Sequence, residues 1–467
     1  MKKPKKKQTI KTKARNSVSV KTGKKKFGVP DYAKQLEKKI LDRSAVIGVI
    51  GMGYVGLPLA IEFGRAGFKV IGIDIDQEKV RIVNSGRSHI DDINNYQVKE
   101  LTDLRRLKCS TDFSILKDVD CVAIAVPTPL NKTKDPDVSF ILSAVTEIKK
   151  YLQPGQLIIL ESTTYPGTTE ELIMPMLEER GYKVGKDFFL AFSPERVDPG
   201  NSRYTTHNTP KVVGGVTAKC LKVSQSLYQQ VITDVIPVSS TKAAEMVKLL
   251  ENTFRSVNIG LVNEVALMCD RLQIDVWEVI DAAATKPFGF MRFYPGPGLG
   301  GHCIPIDPHY LSWKLRSLNY YARFIELAGD INSRMPEYVV EKISAALNSQ
   351  KKSLSESKVL VLGVAYKKDI DDIRESPSLD IIKLLEAKKA QVLYNDPYVS
   401  ELVLDGGNKY KSVHINARTV GSVDCVAILT DHSDYNYQWI VDKAKVVVDT
   451  RNATKNIKSD RGKIFKI

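Results

Sequence analysis

Cysteine is scarce in this chain, and the little there is does not pair. Six cysteines are spread over 467 residues, at positions 109, 121, 220, 269, 303 and 425, with no CxxC and no zinc-type spacing. That argues against a disulfide scaffold or a metal ribbon, and no metal site is expected. Cys121 and Cys425 lie inside apolar runs and read as small buried hydrophobes. Thiols used this way fit a reducing cytosol, so a cytoplasmic protein is expected. Long apolar runs are lacking too. Ala45–Ile61 is 17 residues without a charge and follows a basic segment, as a signal anchor would. It is short for a membrane span and is broken by four glycines and a proline, so insertion is not expected. Acid is absent from the first 30 residues, which hold twelve Lys or Arg. They carry most of the net charge of +15, leaving 57 basic against 54 acidic residues elsewhere. This arm has no helical or strand period and little to bury, so it is expected to be disordered. Its charge offers only weak attraction to nucleic acid or anionic lipid.

What is present is alternation. "AVIGVI" is a short apolar run, as a strand buried on both faces should be. "GLPLAIEFGRAG" reads as a helix and "KVIGIDI" as the next strand, and "CVAIAV" and "QLIILES" repeat the pattern. From Thr241 a long segment without proline and with one glycine, Gly260, reads as a single long helix. Near Lys358 a second alternating unit begins. The expected fold class is α/β, with two Rossmann-like, doubly wound parallel-sheet domains joined by a long central helix in a helical domain. The expected boundaries are 1–43 for the tail, 44–240 for the first unit, 241–335 for the helical domain and 336–467 for the second unit.

"GMGYVG" places Gly51, Gly53 and Gly56 in G-x-G-x-x-G spacing between a predicted strand and helix. The first glycine permits a tight turn, the second lets backbone approach a pyrophosphate, and the third lets helix and strand pack. The helix N-terminus adds unpaired N–H groups for phosphate. Asp74 ends the next strand, where a carboxylate accepts bonds from a ribose 2′-OH and repels a 2′-phosphate. NAD is therefore the expected cofactor.

A second motif is "GPGLGGHCIPIDPHYL", residues 296–311. Cys303 is either a small apolar turn residue or a nucleophile. The glycines around it permit positive φ or close approach to a ligand, and Asp307 is near enough in sequence to share a site. His302 reads as a structural turn residue or a base. Lys248 and Asn252 share one face of the predicted long helix, and Asn263 returns to nearly the same face. They form either a solvated stripe or a buried pair suited to an alkoxide. "ESTTYPGTT" and "FSPERVDPGN" each follow a predicted strand, where doubly wound folds place ligands. Thr163 and Glu195 lie there, as turn residues or as working groups.

With "KLLEN", "YKKDIDDIRES" and "DTRN" in addition, the chain from about Ser44 to Asn452 resembles the UDP-glucose/GDP-mannose dehydrogenase family. The resemblance implies oxidation of a sugar C6 alcohol to a carboxylate with two NAD⁺, for surface-polysaccharide precursors. It implies that Gly51, Gly53, Tyr54, Val55, Gly56, Asp74, Lys79, Thr128, Thr163 and Arg374 form the NAD site. It assigns Cys303 as the nucleophile, passing through a thiohemiacetal and a thioester. Lys248, Asn252, Asp307 and Thr163 would handle the proton and alkoxide, and Glu195 would be the hydrolytic base. Glu195, Arg196, Lys248, Asn252, Phe293, Tyr294, Gly300, Lys367 and Arg451 would hold the UDP-sugar. A homodimer or higher homo-oligomer through the long helix is implied.

Two positions depart from the pattern. Pro199 stands where UDP-glucose enzymes carry a second acid, and Arg292 is offset from an arginine that some relatives lend to a neighbour's site. "PER" and "GPGLGGHCIPIDP" resemble the branch acting on N-acetylated sugars, and UDP-N-acetylglucosamine is the expected substrate. UDP-N-acetylmannosamine and UDP-glucose stay open. The competing readings are a two-electron 3-hydroxyacid-type dehydrogenase, which needs no thiol, and an anion-binding protein acting through the basic arm. Turnover is expected to survive removal of residues 1–40.

Overall fold

The computed structural model describes Met1 and residues 31–90, 93–131, 135–197, 203–404, 407–457 and 461–467. The basic arm and Pro199 therefore lie outside the described residues. The chain divides into Met1–Asp31 and Tyr32–Ile467, and every helix and strand described below belongs to the second unit.

Short runs of Val, Ile and Leu form strands buried on both faces, as parallel sheets demand. In chain order they are β1 (Val46–Ile50), β2 (Lys69–Ile73), β3 (Leu107–Ser110), β4 (Cys121–Ile124), β5 (Leu157–Leu160), β6 (Phe189–Phe192), β7 (Lys211–Gly215) and β8 (Val235–Val238). They make one sheet in the order β3-β2-β1-β4-β5-β6-β7-β8. Ala45–Ile61, the uncharged stretch, is β1, a glycine turn and the start of the helix Gly56–Arg65. Neighbouring strands are parallel except β6 and β7. The described residues between β6 and β7 form no crossover helix, so the chain returns antiparallel.

A second sheet is parallel throughout. It uses β9 (Lys358–Leu362) and β10 (Gln391–Asn395), and, beyond the hairpin β11 (Glu401–Val403) and β12 (Lys409–Lys411), β13 (Cys425–Ile428), β14 (Val447–Asp449) and β15 (Ile464–Lys466). Its order is β10-β9-β13-β14-β15.

Between the sheets runs the predicted long helix, Thr241–Leu272, capped by the Ser240 hydroxyl and stopped by Gln273 at φ 57°. It packs along a second long helix, Arg323–Ser349. One expected boundary crosses a helix, and another needs correction. The 335/336 border falls inside that second helix, which continues through Pro336 to Ser349. The 1–43 tail is also too long, because Tyr32–Leu41 is a helix. Leu36 and Ile40, four residues apart on one face, are buried in the core of the first sheet's domain. Among the described residues no helix is long and apolar enough to cross a membrane.

Candidate active site

The carboxyl end of β1 carries the glycine turn. A Cβ on Gly56 would lie 1.8 Å from the Gly51 carbonyl oxygen, whereas one on Gly53 would meet nothing within 4 Å. Strand and helix thus close on each other while Gly53 faces open space, as a pyrophosphate requires. The buried Asp74 accepts from the backbone N–H of Met52 (2.8 Å) and of Asp76 (2.9 Å), tying the turn to β2. Tyr54 and Val55 complete the turn, and Lys79 pairs with Asp76 at 3.9 Å. Thr128, beyond β4, is buried, and the Tyr310 hydroxyl donates to the neighbouring Pro129 carbonyl at 3.1 Å. The Arg374 guanidinium, from the second α/β unit, lies 5.0 Å from the Tyr54 ring centre. Open space at Gly53 and a carboxylate at the end of β2 fit a dinucleotide.

The central helix brings its polar stripe to the same edge. Lys248, Asn252 and Asn263 are buried, so the stripe is not a solvated face. Asn252 donates to Asp307 at 2.6 Å. Burial pushes the Asp307 carboxyl up to about 6, against the pull of Lys248 and Asn252. Asp307 opens the helix Asp307–Arg316, and its N–H donates to the Cys303 carbonyl at 2.8 Å. Burial raises the half-buried Cys303 thiol above the usual thiol range; Lys248 and two arginines lower it, and Asp307 adds to the rise. His302 is held below its ordinary value by burial, then by Arg374 and Lys248. Lys248 thus sits in the electrostatic field of Cys303, Asp307, His302 and Glu195 together.

Glu195 follows β6. Its Oε1 accepts from the N–H of Arg196 (2.8 Å) and Val197 (2.9 Å). Its Oε2 accepts from Lys211 Nζ at 3.3 Å. Burial opposes ionisation, but Lys211, the two N–H groups and Lys248 outweigh it and hold the carboxyl below its usual range. Lys211 also bonds Glu161 at 2.6 Å, and Glu161 accepts from the Tyr228 hydroxyl. Sequence reasoning passed over Lys211, Glu161 and Tyr228. The only signal was a charged residue at the end of each of two apolar strands.

The thiol loop is fastened at several points. Gly296 N–H donates to Asn263 at 2.9 Å, and Gly301 N–H to the Arg374 carbonyl at 2.9 Å. Its glycines admit protein as well as any ligand. A Cβ on Gly300 would fall 2.5 Å from Tyr366, and one on Gly301, at φ 85°, would fall 2.7 Å from the Tyr366 ring. Arg451 reaches the loop's start, donating to the carbonyls of Leu429 (3.1 Å) and Tyr366 (3.5 Å). Lys367 follows Tyr366 and is half-buried. Phe293 packs edge-on against Phe254 at 5.7 Å, while Tyr294 donates to Asp281 at 2.5 Å. Arg196 is engaged within the chain, with Glu251 (2.6 and 3.2 Å) and the Pro210 carbonyl (2.6 Å). Arg292 faces Asp281 at 3.4 Å. Thr163 is half-buried beyond β5, in a loop that Glu245 of the central helix holds through Gly167 and Thr169.

Family models match the chain three times in succession. The NAD binding domain of the UDP-glucose/GDP-mannose dehydrogenase family covers residues 45–232, its central domain 242–334 and its UDP binding domain 360–456. The class this defines is an NAD-dependent oxidoreductase of nucleotide sugars. The chain belongs to the UDP-glucose/GDP-mannose dehydrogenase family. It is 35% identical to a UDP-N-acetyl-D-glucosamine 6-dehydrogenase of Pseudomonas aeruginosa over 391 residues, 83% of this chain and 91% of that one. It is 37% identical to a UDP-N-acetyl-D-mannosamine dehydrogenase of Campylobacter jejuni over 399 residues, 83% of this chain and 95% of that one. The solved structure of a UDP-D-ManNAc dehydrogenase from Pyrococcus horikoshii superposes with TM-score 0.82 at 34% identity, covering 90% of this chain and 99% of that one.

Proposed function

We propose that this chain oxidises the C6 alcohol of a UDP-N-acetylhexosamine, UDP-N-acetylglucosamine first, to the uronic acid, in the cytoplasm and for surface polysaccharide. The observation that carries the reading is the convergence of Cys303, Lys248 and the Asn252–Asp307 pair between the glycine turn of the first domain and the Arg374 loop of the second α/β unit. Bound NAD⁺ supplies the hydride acceptor for both two-electron stages. In the first stage Asp307 and Thr163 hold the water that takes the alcohol proton, while Lys248 and Asn252 steady the alkoxide. In the second, the Cys303 sulfur bonds to the aldehyde carbon, its proton leaves, and Lys248 faces the oxyanion of the thiohemiacetal. Loss of the second hydride leaves a thioester, which water cleaves with Glu195 as base.

The names of relatives support an N-acetylated sugar without choosing between glucosamine and mannosamine. A homodimer is supported by an exposed apolar row on the central helix, Leu250, Phe254, Leu261, Met268 and Leu272, whose spacing keeps one face. Cys303→Ser should stay folded, keep sugar-nucleotide binding by calorimetry and form no uronate. Normal acid production by that variant overturns the thiol assignment. A panel of UDP-GlcNAc, UDP-ManNAc, UDP-GalNAc and UDP-glucose, read as NADH per sugar, identifies the substrate. A ratio of two supports four-electron oxidation, and a ratio of one supports the 3-hydroxyacid-type reading.

A further inference from the structure

Lys211, Glu161 and Tyr228 form a buried polar chain that the scheme above leaves without a task. Lys211 opens β7, Glu161 follows β5, and Tyr228 ends the helix Ala218–Tyr228. All three are at most 4% exposed. Burying a lone ammonium or carboxylate is costly, and apolar side chains would fill the same space without that cost. The ion pair therefore points to a function beyond packing. The strands set its geometry. Lys211 Nζ stands between Glu161 (2.6 Å) and Glu195 (3.3 Å), and also meets the Pro194 carbonyl at 3.5 Å. Tyr228 donates to the Glu161 oxygen that Lys211 does not take.

We propose that Lys211 is a positioning residue: backed by Glu161 and Tyr228, it fixes Glu195 as an ionised carboxylate, ready to take a proton from the water that cleaves the Cys303 thioester. This rests on the assignment of Glu195 as the hydrolytic base. In that step the water oxygen bonds to the acyl carbon and one water proton passes to Glu195. The carbon–sulfur bond breaks, its electron pair leaving on the Cys303 sulfur. The proton on Glu195 then returns to the thiolate or to solvent. The charged and titratable groups facing Glu195 are Lys211 from β7, Lys248 from the central helix, Glu161 from β5 and Tyr228. Lys248 also faces Cys303 and Asp307. Among the described residues the ion-pair partners of Lys211 are the two glutamates.

The test uses the full chain with NAD⁺ and UDP-N-acetylglucosamine. The double variant Lys211→Met with Glu161→Gln removes one charge of each sign, so the buried net charge is unchanged. It should melt near wild type and release a burst of two NADH per subunit. Steady turnover should then fall at least tenfold at neutral pH, with an acyl adduct on Cys303 in the intact mass. Lys211 is the largest charge acting on Glu195, so without it the carboxyl titrates higher even with Glu161 neutral, and the acidic limb of the post-burst hydrolysis rate should move to higher pH. Lys211→Arg should restore most of the turnover. A folded double variant with a wild-type pH profile overturns the proposal, as does one that loses the burst itself. If the double variant does not fold, Glu161→Gln alone decides. Removing that negative neighbour should move the limb to lower pH, and an unmoved limb overturns the proposal. Glu195→Gln separates the two claims: it should stall after the burst at every pH. Normal turnover there removes the base assignment, whatever Lys211 does.

Discussion

Asp307 sets stability against turnover at a single carboxyl. Burial raises it to about 6 in the folded chain, above the ordinary carboxyl value. The folded state therefore binds this proton more tightly than the unfolded state does. The stabilisation is fully present below the ordinary carboxyl range and is lost as pH rises through about 6. On the proposed scheme turnover runs the other way, because the ionised form is the one that would hold the proton-accepting water. Asp307→Asn keeps the volume and an oxygen for Asn252. It should melt higher than wild type at pH 8, by roughly 1–3 kcal/mol on linkage grounds, and lose about a hundredfold or more in turnover. The NADH burst of wild type, which precedes thioester cleavage, should show an acidic limb near 6 that the variant lacks. Equal melting at pH 8 together with an unmoved limb sinks this reading. Lys248, Asn252, Asp307 and Cys303 were legible in the sequence because helix period and short spacing bring them together. Glu161 and Lys211 were not, because strand order makes them neighbours across fifty residues.

The thiol loop shows what an element can conceal. Its glycines read equally well as room for a ligand or as room for the chain itself. The structure gives much of that room to Tyr366 and Pro377 from the second α/β unit. Which partner fills a glycine gap is decided by tertiary packing, so local sequence could not choose. The central helix was legible for the opposite reason, since its length and unbroken period are local. Its neighbour Arg323–Ser349 runs across the expected domain border at 335/336, and Pro336 sits inside it without ending it. The loop argument can be tested at Gly301. Alanine there takes a left-handed φ of 85° and presses its methyl on the Tyr366 ring. Gly301→Ala should cost about 1–3 kcal/mol in a denaturant melt. It should also lower turnover more than tenfold by displacing Cys303. If Gly301→Ala melts and turns over like wild type, the loop is not fixed by this contact.

At the scale of the whole molecule, the two α/β units and the helices between them share one edge. Arg374 touches the Tyr54 ring on one side and holds the thiol loop through its carbonyl on the other. Neither α/β unit alone holds these residues, and the motifs that named them are spread over both units and the helices between. The same scale decides what the N-terminal segment does. Twelve Lys or Arg stand in its first 30 residues, and beyond them the helix Tyr32–Leu41 sends Leu36 and Ile40 into the core of the first domain. Charge pairs accompany them, Glu37 with Lys222 at 2.9 Å and Lys39 with Asp120 at 2.7 Å, but exposed pairs contribute little. The two apolar side chains should contribute about 1.5–3 kcal/mol each. The expectation that residues 1–40 are dispensable is therefore divided in two. Deleting 1–30 should leave melting and NADH production unchanged. Deleting 1–43 should lower the melting temperature by several degrees and expose apolar surface to a dye such as ANS. If the shorter deletion abolishes turnover while melting is unchanged, the basic arm serves the reaction and the anion-binding reading returns. If the longer deletion melts like the full chain, the helix at Tyr32–Leu41 adds nothing to the core it covers.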